Sequence, residues 1–308
     1  MARLKLDIPK VKYPENCFPI LTDHPDMMYW LTKDNMFCKT IKHFQKKHYI
    51  NALNNEIKIM EYLKDKETNI SINPPISTKN NLSGSPIIVQ KAIKGIDFFQ
   101  YIKCGKKGFS SCVAFLDCVG NALKYFYKHH IIFNDYALEN FMIRNENPIK
   151  LTLVDFGCAE IFDEDKNYTW DFTKIFIIRN HLISPDIIRK YSQKKEMSRD
   201  EIFQLMLKKD MFAIGILLYS IICGCDAWDP TVINFPDKKF ESMVIIHSYF
   251  NQKISTMNPN DNMYIICRLL LRLIPFDIDD IISMEEFFDF IAEIKKIDRN
   301  QKKRKFGD

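Results

Sequence analysis

Glycine is scarce in this chain. Only 9 of its 308 residues are Gly, and none falls between Cys17 and Met36. A loop in that stretch cannot use glycine to bring backbone N–H groups close to an anion. The 9 cysteines are an odd number and form no C-x-x-C pair. Most sit in apolar surroundings, which argues for reduced core thiols rather than a disulfide framework or a zinc site. The longest apolar stretch, AIGILLYSIIC (213–223), is too short to span a bilayer, and MARLKLDIPK has no leader-like apolar run. The expectation is a soluble intracellular protein, cytoplasmic or nuclear, with no membrane partner.

What is present points to a packed core. Hydrophobic residues make up 46% of the chain, with 24 Phe among them. At 308 residues, one domain or two packed lobes is expected. The net charge of +5 is concentrated at the end, where KKIDRNQKKRKFGD carries Lys295, Lys296, Arg299, Lys302, Lys303, Arg304 and Lys305. The rest is close to neutral, so no direct nucleic-acid partner is expected. The tail (294–308) reads as a solvated, frayed terminus; its Lys302–Lys305 run is also a weak nuclear signal.

Short strands dominate the first third: FPIL (18–21), MMYWLTK (27–33) and MFCKTIK (36–42), with a turn at Lys33-Asp34-Asn35. In NALNNEIKIMEYLK (51–64), Leu53, Ile57, Met60 and Leu63 recur at helical spacing. PIIVQKAI (86–93) reads as another strand, and NPPISTKNNLSGSP (73–86) as a surface loop. The remainder is mostly helical. CVAFLDCVGNALKYFYKHH (112–130) has one apolar face, and KKDMFAIGILLYSIICG (208–224) is apolar nearly all round and ends at Gly224. MYIICRLLLRLI (263–274) and SMEEFFDFIAEIKKI (283–297) are amphipathic, the latter opened by a Ser283/Glu286 capping box. A strand-rich part followed by a helical part predicts two lobes with a cleft, joined near 91–97.

The chemistry gathers in IIFNDYALENFMIRNENPIKLTLVDFG (131–157). FMIRN and KLTLVDF around ENPI read as a hairpin that brings Asp135 and Asn140 next to Asp155. An Asp that ends a buried strand needs a partner. Carboxylate and amide oxygens suit Mg²⁺, and a separate carboxylate, Asp135, could accept a proton from an attacking hydroxyl. Phosphoryl transfer uses this combination.

D-x-x-x-x-N followed fifteen residues later by D-F-G resembles the eukaryotic protein kinase family. The likeness runs over about residues 15–293. It implies an α+β bilobal fold, with a small antiparallel-sheet lobe carrying one helix (15–92) and a larger, mainly helical lobe (93–293). It further implies that Asp135 is the catalytic base, that Asn140 and Asp155 hold Mg²⁺, and that ATP and a protein are the substrates. Lys39 in MFCKTI resembles the strand lysine on the α and β phosphates, and Glu56 its helix partner. Lys42 is the rival, and spacing to Glu56 favours Lys39. Gln90 takes the gatekeeper place, Lys91 to Ile93 the hinge, and Asp97 a ribose contact. Ser184-Pro185-Asp186 stands at Ala-Pro-Glu, and DMFAIG (210–215) resembles the helix motif whose Asp holds the catalytic-loop backbone. The Lys, Asn, Ile and Phe usage matches AT-rich coding, as in compact family members of large DNA viruses and intracellular parasites.

Four departures accompany the likeness. TDHPD (22–26) replaces the glycine-rich loop, and its Asp23 and Asp26 would repel phosphate. Phe133-Asn134-Asp135 replaces His-Arg-Asp, removing the cation that would hold a phosphorylated segment within 157–183. Ala137 stands where Ser/Thr kinases carry Lys, and Arg179 is a compensating candidate. Asp186 replaces a Glu whose Arg partner is not evident, and the insert KKEMSRDEIFQLMLKK (194–209) could brace that region instead. Base rate favours Ser/Thr over Tyr as acceptor. The alternatives are a pseudokinase used as a binding module and, behind it, a small-molecule phosphotransferase.

Overall fold

The computed structural model describes residues 17–20, 26–41, 47–64, 75–80, 86–162, 182–227 and 235–306. The chain divides into two compact units, Met1–Lys66 with Asn73–Ile93, and Glu67–Ile72 with Lys94–Asp308.

The smaller unit is one antiparallel five-stranded sheet and one helix. Its strands are β1 (Cys17–Ile20), β2 (Met27–Thr32), β3 (Met36–Ile41), β4 (Pro75–Asn80) and β5 (Pro86–Lys91), in the order β1-β2-β3-β5-β4. The β2–β3 hairpin closes at Asn35, which takes a left-handed φ of 58° and donates its N–H to the Thr32 carbonyl at 3.0 Å. An Asn tolerates that conformation better than most residues. Helix α1 (Lys47–Lys64) starts four residues before the periodic stretch read from sequence. Its Leu53 packs with Met27, Ile41 and Ile88 on one sheet face, while Met28, Trp30 and Cys38 pack on the other. Apolar side chains line both faces, so the strands read as nearly continuous apolar runs.

Residues 75–80, read above as part of a surface loop, form strand β4 instead. β4 is the sheet's edge, where PISTKN keeps Pro at the first position and polar residues along the strand. An edge strand needs no apolar alternation and tolerates a leading Pro, so the turn-rich composition misled.

The larger unit is mainly helical: α2 (Phe98–Lys103), α3 (Phe109–Lys128), α4 (Pro185–Tyr191), α5 (Arg199–Cys223), α6 (Pro236–Thr256), α7 (Asn262–Leu273) and α8 (Met284–Phe306). Two small pairs, β6 (Ile131–Ile132) with β9 (Glu160–Ile161) and β7 (Phe141–Glu146) with β8 (Ile149–Leu153), carry the site segments. The insert and the buried apolar helix, read as separate pieces, are one helix, α5. It opens on a capping box between Ser198 and Glu201 and ends at Gly224, whose φ is 75°. Gly215 lets α5 approach α7: a Cβ there would lie 2.7 Å from Leu273 Cβ. Any side chain at 215 would have to push the helices apart. Helix α8 continues to Phe306, so the basic stretch begins as helix rather than as a frayed end, with Lys295 paired to Asp117.

Among the described residues all nine cysteines are free, and no helix is long and apolar enough to cross a membrane.

Candidate active site

In the smaller unit, cross-strand register puts Tyr29, Lys39 and Ile88 on the α1 face of the sheet. Glu56 lies on the buried side of α1, so the two charges meet: Lys39 Nζ donates to Glu56 Oε2 at 2.9 Å. They are 8% and 2% exposed, and a buried pair of this kind survives only when both partners are present. Lys42, the rival lysine, lies outside the described residues, as do residues 22–25. Asp26, read as part of an acidic loop that would repel phosphate, is buried at 4%. Phe37 stacks on Tyr29 at 5.9 Å. Gln90 is buried and faces Phe37 across the ladder, while Lys91 is exposed at the strand end and Ile93 is half-buried.

In the larger unit, the hairpin forms as the sequence predicts. Phe141 pairs with Leu153, and Val154 N donates to the Asn140 carbonyl at 2.9 Å. That bond sets Asn140 and Asp155 just beyond the ladder, on neighbouring chain segments. Asn140 Nδ2 donates to Asp135 twice, to the backbone oxygen at 2.8 Å and to Oδ2 at 3.0 Å. Both donor contacts go to Nδ2, which leaves the Asn140 side-chain oxygen for other work. Asp155 has a φ of 63° and its Oδ1 accepts from Gly157 N at 3.3 Å. Asn134 has a φ of 66°. Left-handed non-glycine residues are uncommon, and here two flank the same group. Asp97 caps α2, its Oδ1 accepting from Gln100 N at 2.8 Å, and pairs through its backbone with Met142.

Aromatic packing fixes the loop from behind. Phe133, in the His place, meets the ring of Phe156 edge-on at 5.3 Å, and Phe126 lies 6.1 Å from Phe133. All three are essentially fully buried. Tyr136 continues the cluster, 4.9 Å from Phe133.

Asp210 on α5 anchors the loop's backbone. Its Oδ2 accepts from Phe133 N at 3.1 Å and Asn134 N at 3.2 Å. Burial pushes the Asp210 carboxyl up to about 6, against the pull of Lys209 and the two N–H bonds. Sequence reading missed Lys209, which is 3% exposed and donates to Asn134 Oδ1 at 2.6 Å. Burial holds its pKa below the ordinary lysine value. The signal was present: Leu205, Lys209, Phe212 and Ile216 share one buried stripe at helical spacing.

Asp186 finds a different partner from the Arg sought in sequence. Its Oδ2 accepts from Ile278 N at 3.0 Å and lies 3.2 Å from Lys190 Nζ. Lys190 also reaches Asp277 at 2.5 Å and Asp279 at 2.9 Å, and Lys208, from the insert, reaches Asp279 at 2.6 Å. The insert does brace this region. Burial opposes the Lys190 charge, but the carboxylate bonds outweigh it and raise its pKa; the bond to Lys190 lowers Asp277, and those to Lys208 and Lys190 lower Asp279. Carboxylates depressed in the folded state stabilise it above their unfolded pKa and cease to as pH falls through the folded value. The raised lysine contributes below its own unfolded pKa. Lys190→Met is therefore expected to cost about 1 kcal/mol at pH 7, a solvent-screened figure. The difference from wild type should shrink below pH 4, which thermal melts at pH 7 and pH 3 would show.

A family profile for the protein kinase domain matches residues 28–304, and the chain belongs to that family. It is 24% identical over 240 residues to serine/threonine-protein kinase atg1 of Dictyostelium discoideum, covering 77% of this chain and 31% of that protein. It is 18% identical over 233 residues to death-associated protein kinase dapk-1 of Caenorhabditis elegans, covering 75% of this chain and 14% of that protein. The chain thus spans less than a third of the length of either relative. These matches do not support a viral or parasitic source.

Proposed function

We propose that the chain is a protein kinase that transfers the γ-phosphate of ATP to Ser or Thr hydroxyls of a protein substrate. The observation that carries this reading is the Asp135–Asn140 pair held against the Asp155 segment, with Asp210 fixing the loop behind it. Asp135 takes the proton from the attacking hydroxyl. Asn140 and Asp155 supply amide and carboxylate oxygens, a hard donor set that fits Mg²⁺ sharing its shell with substrate phosphates. When bound, Mg²⁺ would neutralise charge on those phosphates. Within the smaller unit, Lys39, kept in place by Glu56, is the phosphate-binding cation, and Gln90, Lys91 and Ile93 are nucleoside contacts. Within the larger unit, Asp97 keeps the ribose-contact role that the family resemblance implies. The serine/threonine name of the Dictyostelium relative favours Ser/Thr over Tyr.

The absence of Gly between Cys17 and Met36 favours a second reading, a pseudokinase that binds without turnover. One experiment separates the two. Purified protein is incubated with γ-labelled ATP, Mg²⁺ or Mn²⁺, a mixed protein substrate and small alcohols, beside Asp155→Ala. Label on protein Ser or Thr in wild type, lost in the variant, supports the kinase reading. Equal background in both overturns it, and label only on small alcohols would indicate a small-molecule phosphotransferase.

A further inference from the structure

Lys209 is a cation inside the larger unit whose ammonium has one hydrogen-bond partner among the described residues. Its Nζ donates to Asn134 Oδ1 at 2.6 Å, while the nearest carboxylate oxygen, Asp210 Oδ1, is 3.9 Å away. Burying an ammonium costs several kcal/mol before any return, and a Met of similar length would pack there without that cost. The charge is therefore better explained by what it holds than by packing.

It holds the residue next to the proposed base. Accepting from Lys209 fixes the Asn134 amide so that Nδ2 faces the other way, where it donates to the Cys158 carbonyl at 3.0 Å. A cation on the oxygen also polarises the amide and strengthens the second bond. Asn134 precedes Asp135, and Cys158 follows Asp155-Phe156-Gly157. One relay thus links α5 to both sides of the site. Its neighbour Asp210 grips the Asn134 backbone, so two adjacent residues of one helix fix one residue by side chain and main chain. Arg199, at the start of the same helix, extends the hold by donating to the Phe162 carbonyl at 2.8 Å.

We propose that Lys209 is a positioning residue for phosphoryl transfer: through Asn134 it locks the Asp135 loop to the chain beyond Gly157 with a charge built into the core. The inference rests on the kinase reading above. The hold comes from inside the unit, because the relay runs from α5 through the loop to Cys158.

The test is a double-mutant cycle of Lys209→Met and Asn134→Gly, the glycine chosen because it accepts the left-handed φ. Each single variant should lower kcat about 10- to 100-fold, as misplacement of reacting groups does, with the ATP KM changed less than about twofold. The double variant should lose no more than the worse single one. Lys209→Met leaves the Asp210 carboxylate and Asn134 Oδ1 without their cation, so its melting temperature should fall; a purely structural role predicts that fall without the split between kcat and KM or the non-additive double variant. Hydrogen–deuterium exchange reads the same relay without turnover: peptides covering 133–135 and 156–162 should exchange faster in Lys209→Met. Wild-type kcat in Lys209→Met, multiplicative losses in the double variant, or unchanged exchange in those peptides would each overturn the proposal. If the wild-type protein transfers no phosphate, the kinase reading fails by itself, and exchange still decides whether Lys209 fixes the loop.

Discussion

Asp135→Asn is expected to lower phosphoryl transfer by roughly three orders of magnitude while leaving the loop in place, the range for losing a general base. The geometry makes this substitution more informative than truncation. Asn140 Nδ2 donates to Asp135 Oδ2 at 3.0 Å and to the Asp135 backbone oxygen at 2.8 Å. An amide oxygen at 135 can still accept the first bond, and the second does not involve the side chain. What is removed is the carboxylate proposed to take the proton. Asp135→Ala removes the side-chain anchor of Asn140 as well, so it should add a requirement for more Mg²⁺ to a similar loss of kcat. Initial rates for both variants over a Mg²⁺ series measure this. Equal kcat in wild type and Asp135→Asn would remove Asp135 from the chemistry, and an identical Mg²⁺ dependence of the two variants would remove Asn140 from the metal's shell.

The parts of this site that sequence reveals are those fixed by short-range pattern. Asn140 and Asp155 flank one hairpin whose strands and turn are locally encoded, so their proximity follows from β7 and β8, and Asp135 lies five residues before Asn140, which bonds it. Lys39 and Glu56 are 17 residues apart, on a strand and the next helix, and the strand's parity with the helix's period brings them together. Long-range replacements are another matter. The partner of Asp186 was sought as an Arg at one aligned place, but Lys190, one turn away, and the Ile278 amide, 92 residues on, share the work. Lys209 falls where the insert (194–209) and the apolar stretch (208–224) overlap, and only the single helix from Arg199 puts it in the buried stripe. Helix α6 escaped notice for a similar reason. Its inward stripe is only Lys239, Met243, Ile246 and Phe250, and the apolar Val244, Ile245 and Tyr249 between them are exposed, which blurs the helical period.

Asp210→Ala should produce the largest loss of stability of any substitution near the site. It leaves the buried N–H groups of Phe133 and Asn134 without an acceptor, at about 1–3 kcal/mol each. It also leaves Lys209 buried without its nearest countercharge, which adds to the loss. Together these should lower the melting temperature by roughly 10 °C or more for a unit of this size. Asp210→Asn keeps an oxygen for the two N–H groups and should lose less. The pair also exposes a pH effect. Burial raises the Asp210 carboxyl from 3.8 to about 6, so the folded state binds this proton more tightly than the unfolded chain does. Ionisation of Asp210 then works against the fold as pH rises from 4 to 6, and that penalty is complete above 6. Lys209 and the two N–H groups favour the ionised form, Asp135 opposes it, and burial outweighs them all. Asp210→Asn cannot ionise there. The melting temperature of wild type minus that of Asp210→Asn should therefore fall between pH 4 and pH 6 and level off above. A difference that instead grows with pH would mean that Lys209 controls the pair's charge and that the carboxylate, not the acid, is the form the fold prefers.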